Sequence, residues 1–345
     1  MHVPMAEDKR VRVVAQLTRE RYEQIFHPRA RERLQALAAV IGPFESPDEA
    51  RSLTPRLAEA DVLFVPSSVR VDRAALEAAP RLRWIAETSG GPPRIDYEVA
   101  FQRGITVTDC RRAFSRSVAE MALALYLAAV RDVVAHDRAL HTYDGIEGVP
   151  KSQNREASFR TLGFVGFGGI AQTLVRFLAP FEPRLLAYDP YLPLEAIAGA
   201  GAAPATLEEI FRTADAVFLL AMPNPANRAL IGGALLDLLR PDSILLVISR
   251  SWLVDEAALV ERLRQGRFRA AMDVFDHEPL PAGHPYRSLP NVILTPHRAG
   301  GTREAYWRIG QALVDDLERF IAGQPPIHNA IVDAATARRQ GLFVG

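Results

Sequence analysis

Three segments of this chain place residues able to handle an anion and a proton directly after apolar stretches. In Val247-Ile248-Ser249-Arg250-Ser251-Trp252-Leu253-Val254-Asp255-Glu256, Arg250 follows a β-branched run. In Ala271-Met272-Asp273-Val274-Phe275-Asp276-His277-Glu278-Pro279-Leu280-Pro281, carboxylates follow a short apolar stretch. In Leu294-Thr295-Pro296-His297-Arg298-Ala299-Gly300-Gly301-Thr302, His297 stands before two glycines that allow close approach to a flat ligand. A guanidinium grips a carboxylate through two parallel hydrogen bonds. An imidazole ordinarily titrates near neutrality, so it can give or take a proton at physiological pH. A neighbouring carboxylate fixes its tautomer and favours the imidazolium. Residue type alone proves little, since 39 of the 41 basic residues are arginines and only Lys9 and Lys151 are lysines. A lone histidine at a strand end is also more often structural than catalytic. Together, at the carboxyl ends of parallel strands where α/β sheets bind ligands, the three residue types point to a site.

A fourth segment carries a different chemistry. Leu162-Gly163-Phe164-Val165-Gly166-Phe167-Gly168-Gly169-Ile170-Ala171 contains G-x-G-x-x-A at Gly166, Gly168 and Ala171, after an apolar strand and before a helical pattern. Gly166 permits the tight turn, Gly168 lets backbone approach a pyrophosphate, and Ala171 lets the helix pack on the strand. The helix N-terminus, from Gly169 and Ile170 onward, offers free N–H groups and a positive dipole end to phosphates. The next strand ends in Asp189, 18 residues past Ala171, near the distance expected of an acid that holds ribose hydroxyls. A carboxylate there favours NAD and repels the 2′-phosphate of NADP.

These residues need a scaffold, and the rest of the sequence supplies one. With 345 residues, 48% hydrophobic and 24% charged, the chain has the length and balance of a two-domain globular protein. Its 41 basic and 41 acidic residues cancel, which argues against a dedicated nucleic-acid binder. Cys110 is the single cysteine, so an internal disulfide or a thiolate metal cluster is excluded. Residues 1–10 lack the apolar core of a signal peptide. The longest apolar run, Met121–Val130, is about half of the roughly 20 residues a membrane span needs. No membrane partner and a reducing, cytoplasmic location are therefore expected. Short β-branched runs alternate with helical patterns: Val11–Leu17 then Glu32–Val40, Val62–Val65 then Asp72–Ala79, then Arg83–Glu87 and Thr106–Thr108. This pattern predicts β/α units on mostly parallel sheets. Ser117 to about Leu140 reads as one unbroken apolar helix, suited to a bridge between domains, a subunit interface or an ordinary core. Tyr143–Ser158 reads as a loop, and 331–345 as a tail. Strands are expected at Thr161–Val165, Arg184–Tyr188, Ala216–Ala221, Ser243–Ser249, Ala270–Val274 and Val292–Thr295, with a last amphipathic helix at Arg303–Ala322.

Taken together, the four segments resemble the D-isomer-specific 2-hydroxyacid dehydrogenase family. Ile95-Asp96, Arg103-Gly104-Ile105-Thr106-Val107 and Ser117-Val118-Ala119-Glu120 agree with it, and the likeness runs in order over about residues 60–325. The resemblance implies an α/β fold of two Rossmann-like domains with parallel sheets. A discontinuous substrate domain would comprise 1–108 completed by 301–345, with an NAD domain, 109–300, inserted in it. It implies a substrate cleft whose closure excludes water, a homodimer, and hydride transfer between nicotinamide and C2 of a small anionic 2-hydroxy or 2-oxo acid. Carried over, Arg250 binds the substrate carboxylate, His297 is the acid/base and Glu278 supports it. The resemblance also places Asp273 near the nicotinamide carboxamide and the loop Ala221–Asn227, with Pro223 and Asn227, along the adenosine ribose. Gly166, Gly168, Gly169, Ile170, Asp189 and Ile248 complete the cofactor contacts, and the backbone donors of Ser89, Gly90 and Gly91 join Arg250 at the substrate. Glu278 argues against the family's formate-oxidising branch, which has Gln there. The alternative is an NAD(H)-sensing, corepressor-like interaction protein on the same scaffold.

Several positions depart from the family pattern. The substrate loop, Glu87-Thr88-Ser89-Gly90-Gly91-Pro92-Pro93-Arg94, carries two prolines that lack N–H donors. Asp109-Cys110-Arg111 stands where the family has Asn, a small residue and Pro, and Ser251 replaces a glycine. Arg94 and Arg298 either face solvent or add positive charge, and Arg298 would then suit a second anionic group on the substrate. Trp252, Tyr306 and Trp307 are expected to wall the site or serve an interface.

Overall fold

A computed structural model describes residues 10–142 and 154–343, and most of the 143–158 loop read from the sequence lies outside them. The chain forms two compact units, Met1–Phe114 with Thr302–Gly345, and Ser115–Gly301. The divisions expected from the sequence are at 108/109 and 300/301. The first falls six residues later because Asp109–Phe114 stay with the first unit, where Cys110 is fully buried and Phe114 packs on the same core.

In the first unit, β1 (Val11–Ala15), β2 (Ala38–Ile41), β3 (Val62–Val65), β5 (Trp84–Glu87) and β7 (Thr106–Asp109) form a parallel sheet in the order β7-β5-β3-β1-β2. Two short strands, β4 (Arg70–Val71) and β6 (Arg94–Ile95), pair separately. Every residue of β3 and β5 is buried, as expected for strands covered on both faces. One covering helix, Arg303–Ile321, repeats Ile309, Leu313 and Leu317 at helical spacing, and all three are fully buried. Its Gly310 touches the end of the helix Arg19–Ile25 so closely that an added Cβ would lie 2.2 Å from the Ile25 carbonyl oxygen. Gly310→Ala should therefore destabilise the protein by about 1–3 kcal/mol despite alanine's better helix propensity. Urea unfolding of the variant checks this, and an unchanged midpoint would show that the helices separate freely.

One expectation is corrected in this unit and one open question is answered. Glu32–Val40 is not one helix: the helix ends at Leu37, and Ala38–Ile41 becomes β2 by pairing with Val11–Val14. The sequence leaves open whether the tail from 331 is ordered, and residues 331–343 are built into this unit. Fully buried Asp316 accepts hydrogen bonds from the N–H groups of Ile327, His328 and Asn329 at 2.9, 3.0 and 2.9 Å. This steers Ala330–Ile331 onto β7 as an antiparallel strand, followed by the helix Ala334–Arg339.

The second unit is a seven-stranded parallel sheet. Its strands are β8 (Thr161–Val165), β9 (Arg184–Tyr188), β10 (Ala203–Pro204), β11 (Ala216–Leu219), β12 (Ile244–Val247), β13 (Arg269–Met272) and β14 (Val292–Leu294). They lie in the order β10-β9-β8-β11-β12-β13-β14, so the strand order reverses between β8 and β11. The expected helix Ser117–Leu140 is two helices, Ser115–Val130 and Val133–Thr142. Asp132 between them is left-handed at φ +52°, and Arg269 donates to both the Ala129 carbonyl (2.7 Å) and the Asp132 carboxylate (2.6 Å). The helical stretch Arg111–Val130 has the length and apolarity to cross a membrane by composition. Within the second unit its Ala122, Leu125, Tyr126 and Ala129 are buried.

Candidate active site

β8 is followed by the glycine turn and the helix Gly169–Leu178. Gly166 has φ +89°, and a Cβ there would lie 2.4 Å from the Ala221 backbone. Only glycine combines that rotation with that approach. Gly168 and Gly169 are exposed, Ile170 is half-buried, and nothing lies within 4 Å of a Cβ built on Gly168. No side chain caps the helix, so its first N–H groups remain for an anion. Asp189, just past the end of β9, accepts from the N–H of Phe167 at 2.8 Å and of Tyr191 at 2.9 Å. It thereby shapes the turn that follows the strand. An open glycine, an uncapped helix and an acid at the next strand end fit a dinucleotide with an unphosphorylated ribose.

The loop after β11 holds itself together. Asn227 Oδ1 accepts from the Asn224 N–H at 2.9 Å, and Asn227 Nδ2 donates to the Met222 carbonyl at 2.8 Å. Pro223 is half-buried in this loop. The Trp252 indole N–H donates to the Asn224 carbonyl at 3.0 Å, and the Arg228 guanidinium lies over its ring. Ile248 is buried at the end of β12.

Arg250 follows β12, and its Nη1 donates to the Ser249 carbonyl at 2.7 Å. Its side chain reaches solvent, yet burial of the guanidinium draws its pKa below the ordinary arginine value, and the nearby Glu278 charge opposes this. Arginine remains cationic under all such conditions. Glu278 receives the Phe275 N–H on Oε1 at 3.0 Å, while Oε2 lies 2.6 Å from His297 Nδ1. With the carboxylate ionised, Nδ1 carries the proton and Nε2 is left for a reactant. The two side chains keep 34% and 41% of their exposure, so a small molecule can reach them.

His297 itself sits in the left-handed region at φ +52°, a conformation that costs a non-glycine residue roughly 1–3 kcal/mol. Asp273 holds it there. Fully buried at the end of β13, Asp273 accepts from Thr295 Oγ1 at 2.6 Å, from the Arg298 N–H at 3.0 Å and from the Ala299 N–H at 2.8 Å. The family resemblance implies a place for Asp273 near the nicotinamide carboxamide as well. These bonds tie its carboxylate to the loop that carries His297. Only the strand-end placement common to both residues hinted at this. The Arg298 side chain is exposed.

In the first unit the loop after β5 differs from expectation. Ser89 and Gly90 do not offer their N–H groups outward: Glu87 accepts them at 2.5 and 2.8 Å. Burial pushes the Glu87 carboxyl up, with Asp109 adding to the shift. A raised carboxyl contributes stability below the usual carboxylate range and loses it as pH rises through its native value. Relative to Glu87→Gln, the wild type should therefore lose melting temperature as pH increases. Parallel wild-type and variant profiles would contradict that. Tyr306 and Trp307 take local partners, with Arg21 over the first ring and Arg303 over the second.

Residues 123–299 match the family model described as D-isomer specific 2-hydroxyacid dehydrogenase, NAD binding domain. D-3-phosphoglycerate dehydrogenase of Methanocaldococcus jannaschii is 34% identical over 274 residues, covering 79% of this chain and 52% of that protein. The chain thus spans about half the length of several curated relatives. Glyoxylate reductase of Pyrococcus furiosus is 34% identical over 79% of this chain and 83% of its own. Among solved structures, a phosphoglycerate oxidoreductase from Rhizobium etli superposes with a TM-score of 0.80 at 28% identity, covering 95% of this chain and all of that one. On this fold, NAD-binding region and similarity, the chain belongs to the D-isomer-specific 2-hydroxyacid dehydrogenase family, whose cofactor is NAD.

Proposed function

We propose that the protein is an NAD-dependent dehydrogenase that interconverts a small 2-oxo acid and its D-2-hydroxy acid. The observation that carries this reading is the 2.6 Å pair between His297 Nδ1 and Glu278, with Arg250 in electrostatic range of the same carboxylate. The bound cofactor supplies a hydride to C2 in reduction and accepts it in oxidation. His297 gives the C2 oxygen its proton from Nε2 in reduction and takes it back in oxidation. Glu278 stabilises the imidazolium and fixes the ring. Arg250 binds the substrate carboxylate and orients C2. Gly168, Gly169 and Ile170 would hold the pyrophosphate and Asp189 the ribose hydroxyls, with Pro223, Asn227 and Ile248 beside the nucleotide. Gly91 is proposed to add a backbone donor to the substrate carboxylate. The substrate is a small anion, the enzyme a cytoplasmic homodimer, and the domains are a substrate unit and an NAD unit.

The test mixes the protein with NADH or NADPH and a panel of glyoxylate, pyruvate and hydroxypyruvate, following nicotinamide absorbance. NADH consumption with at least one acid, and a clear preference for NADH, are expected. NADH binding without turnover on any acid would sink the enzyme reading, and faster turnover with NADPH would sink the role of Asp189.

A further inference from the structure

The loop from Thr88 to Pro93 can be accounted for donor by donor, because every main-chain N–H must go somewhere. Thr88 N–H donates to the Val65 carbonyl at 3.1 Å. Ser89 N–H donates to Glu87 Oε1 at 2.5 Å, and the Ser89 hydroxyl contacts the same oxygen. Gly90 N–H donates to Glu87 Oε2 at 2.8 Å. Pro92 and Pro93 have no N–H to give. That leaves Gly91 N–H, which meets no protein acceptor among the described residues.

The arrangement is rigid. Glu87 is fully buried at the end of β5, and Cys110 Sγ lies 3.5 Å from its Oε2. Ser89 Oγ also receives the Ser67 N–H at 3.0 Å. Gly90 has φ +97°, and a Cβ there would sit 2.7 Å from the Phe114 ring. Of the neighbouring ions, Asp109 is paired with Arg111, Arg21 donates to the Thr88 carbonyl and lies over the Tyr306 ring, and Arg94, directly after Pro93, is exposed.

We infer that Glu87 is a specificity-determining positioning residue. Its carboxyl occupies, from inside, two donors that would otherwise face an anion, and leaves the loop with one. A loop with one outward donor, backed by acids, suits a 2-oxo acid with a single carboxylate and disfavours one with a second carboxylate or a phosphate. This rests on the reading that Gly91 meets the substrate.

The experiment compares kcat/KM, with NADH, for glyoxylate and pyruvate against oxaloacetate and phosphorylated hydroxypyruvate. The wild type should favour the single-carboxylate acids at least roughly tenfold, the worth of one charge-assisted hydrogen bond. Glu87→Gln, whose amide nitrogen cannot accept, should shift that ratio about tenfold toward the di-anions, through KM rather than kcat, with NADH affinity by fluorescence unchanged. Glu87→Asp should restore part of the preference. A wild type that favours di-anionic acids overturns the inference even if no variant folds. So does a folded Glu87→Gln with an unchanged ratio. Gly91→Pro separates the two readings: it removes the outward donor, and an unchanged KM for glyoxylate would reject the substrate role of the loop itself.

Discussion

His297→Asn is expected to lower kcat for 2-oxo acid reduction by roughly 10²–10⁴-fold, the usual worth of a positioned general acid, while NADH binding persists. Asparagine keeps a polar group of similar reach and tolerates the left-handed backbone at φ +52°. The loss would therefore report the missing proton donor rather than a collapsed loop. A steady-state assay with an NADH fluorescence titration checks both halves. Asp273→Asn supplies the contrast. It preserves size but weakens the grip of Asp273 on the Thr295 hydroxyl and the Arg298 and Ala299 N–H groups. Activity should then fall through displacement of His297, accompanied by a lower melting temperature that His297→Asn does not show.

The second large effect is expected at Arg250. Arg250→Lys keeps the positive charge but loses the planar fork, so kcat/KM should fall by roughly 10²–10³-fold. Most of the loss should appear in KM for the acid, because the substrate carboxylate is the group released. The ammonium cannot reproduce two parallel bonds from the position fixed by Nη1 on the Ser249 carbonyl. If Arg250→Lys leaves KM for the acid unchanged while its NADH affinity falls, the residue serves the nucleotide instead.

How much of this could be read from the sequence follows the range of the interactions involved. Gly166, Gly168 and Asp189 were legible because their roles depend on local backbone: a tight turn, an open helix start, an acid at the next strand end. Arg250, Glu278 and His297 were legible because each follows an apolar strand, and parallel strands gather their carboxyl ends on one side. Other features depend on partners far along the chain. β2 exists because Ala38–Ile41 pairs with Val11–Val14, and nothing within the Glu32–Val40 pattern forbids continuing the helix. The helix break at Asp132 is held by Arg269, 137 residues away. Glu87 reads as one more acid until the fold buries it and bends Ser89 and Gly90 back onto it. Asp273 announced itself as important, but its hydrogen bonds to the His297 loop come from residues 22 to 26 positions ahead. Long-range pairing decided each of these, and spacing within one segment carries no record of it.

The most direct measurement is a single turnover. Protein preloaded with NADH is mixed with glyoxylate, and the loss of nicotinamide absorbance is timed for wild type, Glu278→Gln and His297→Asn. A fast phase should be seen in the wild type. It should slow in Glu278→Gln, where the carboxylate 2.6 Å from Nδ1 is replaced by a neutral amide, and slow most in His297→Asn, with equal NADH loading in all three. A His297→Asn fast phase as rapid as that of the wild type would contradict the assignment of proton transfer to the His297–Glu278 pair.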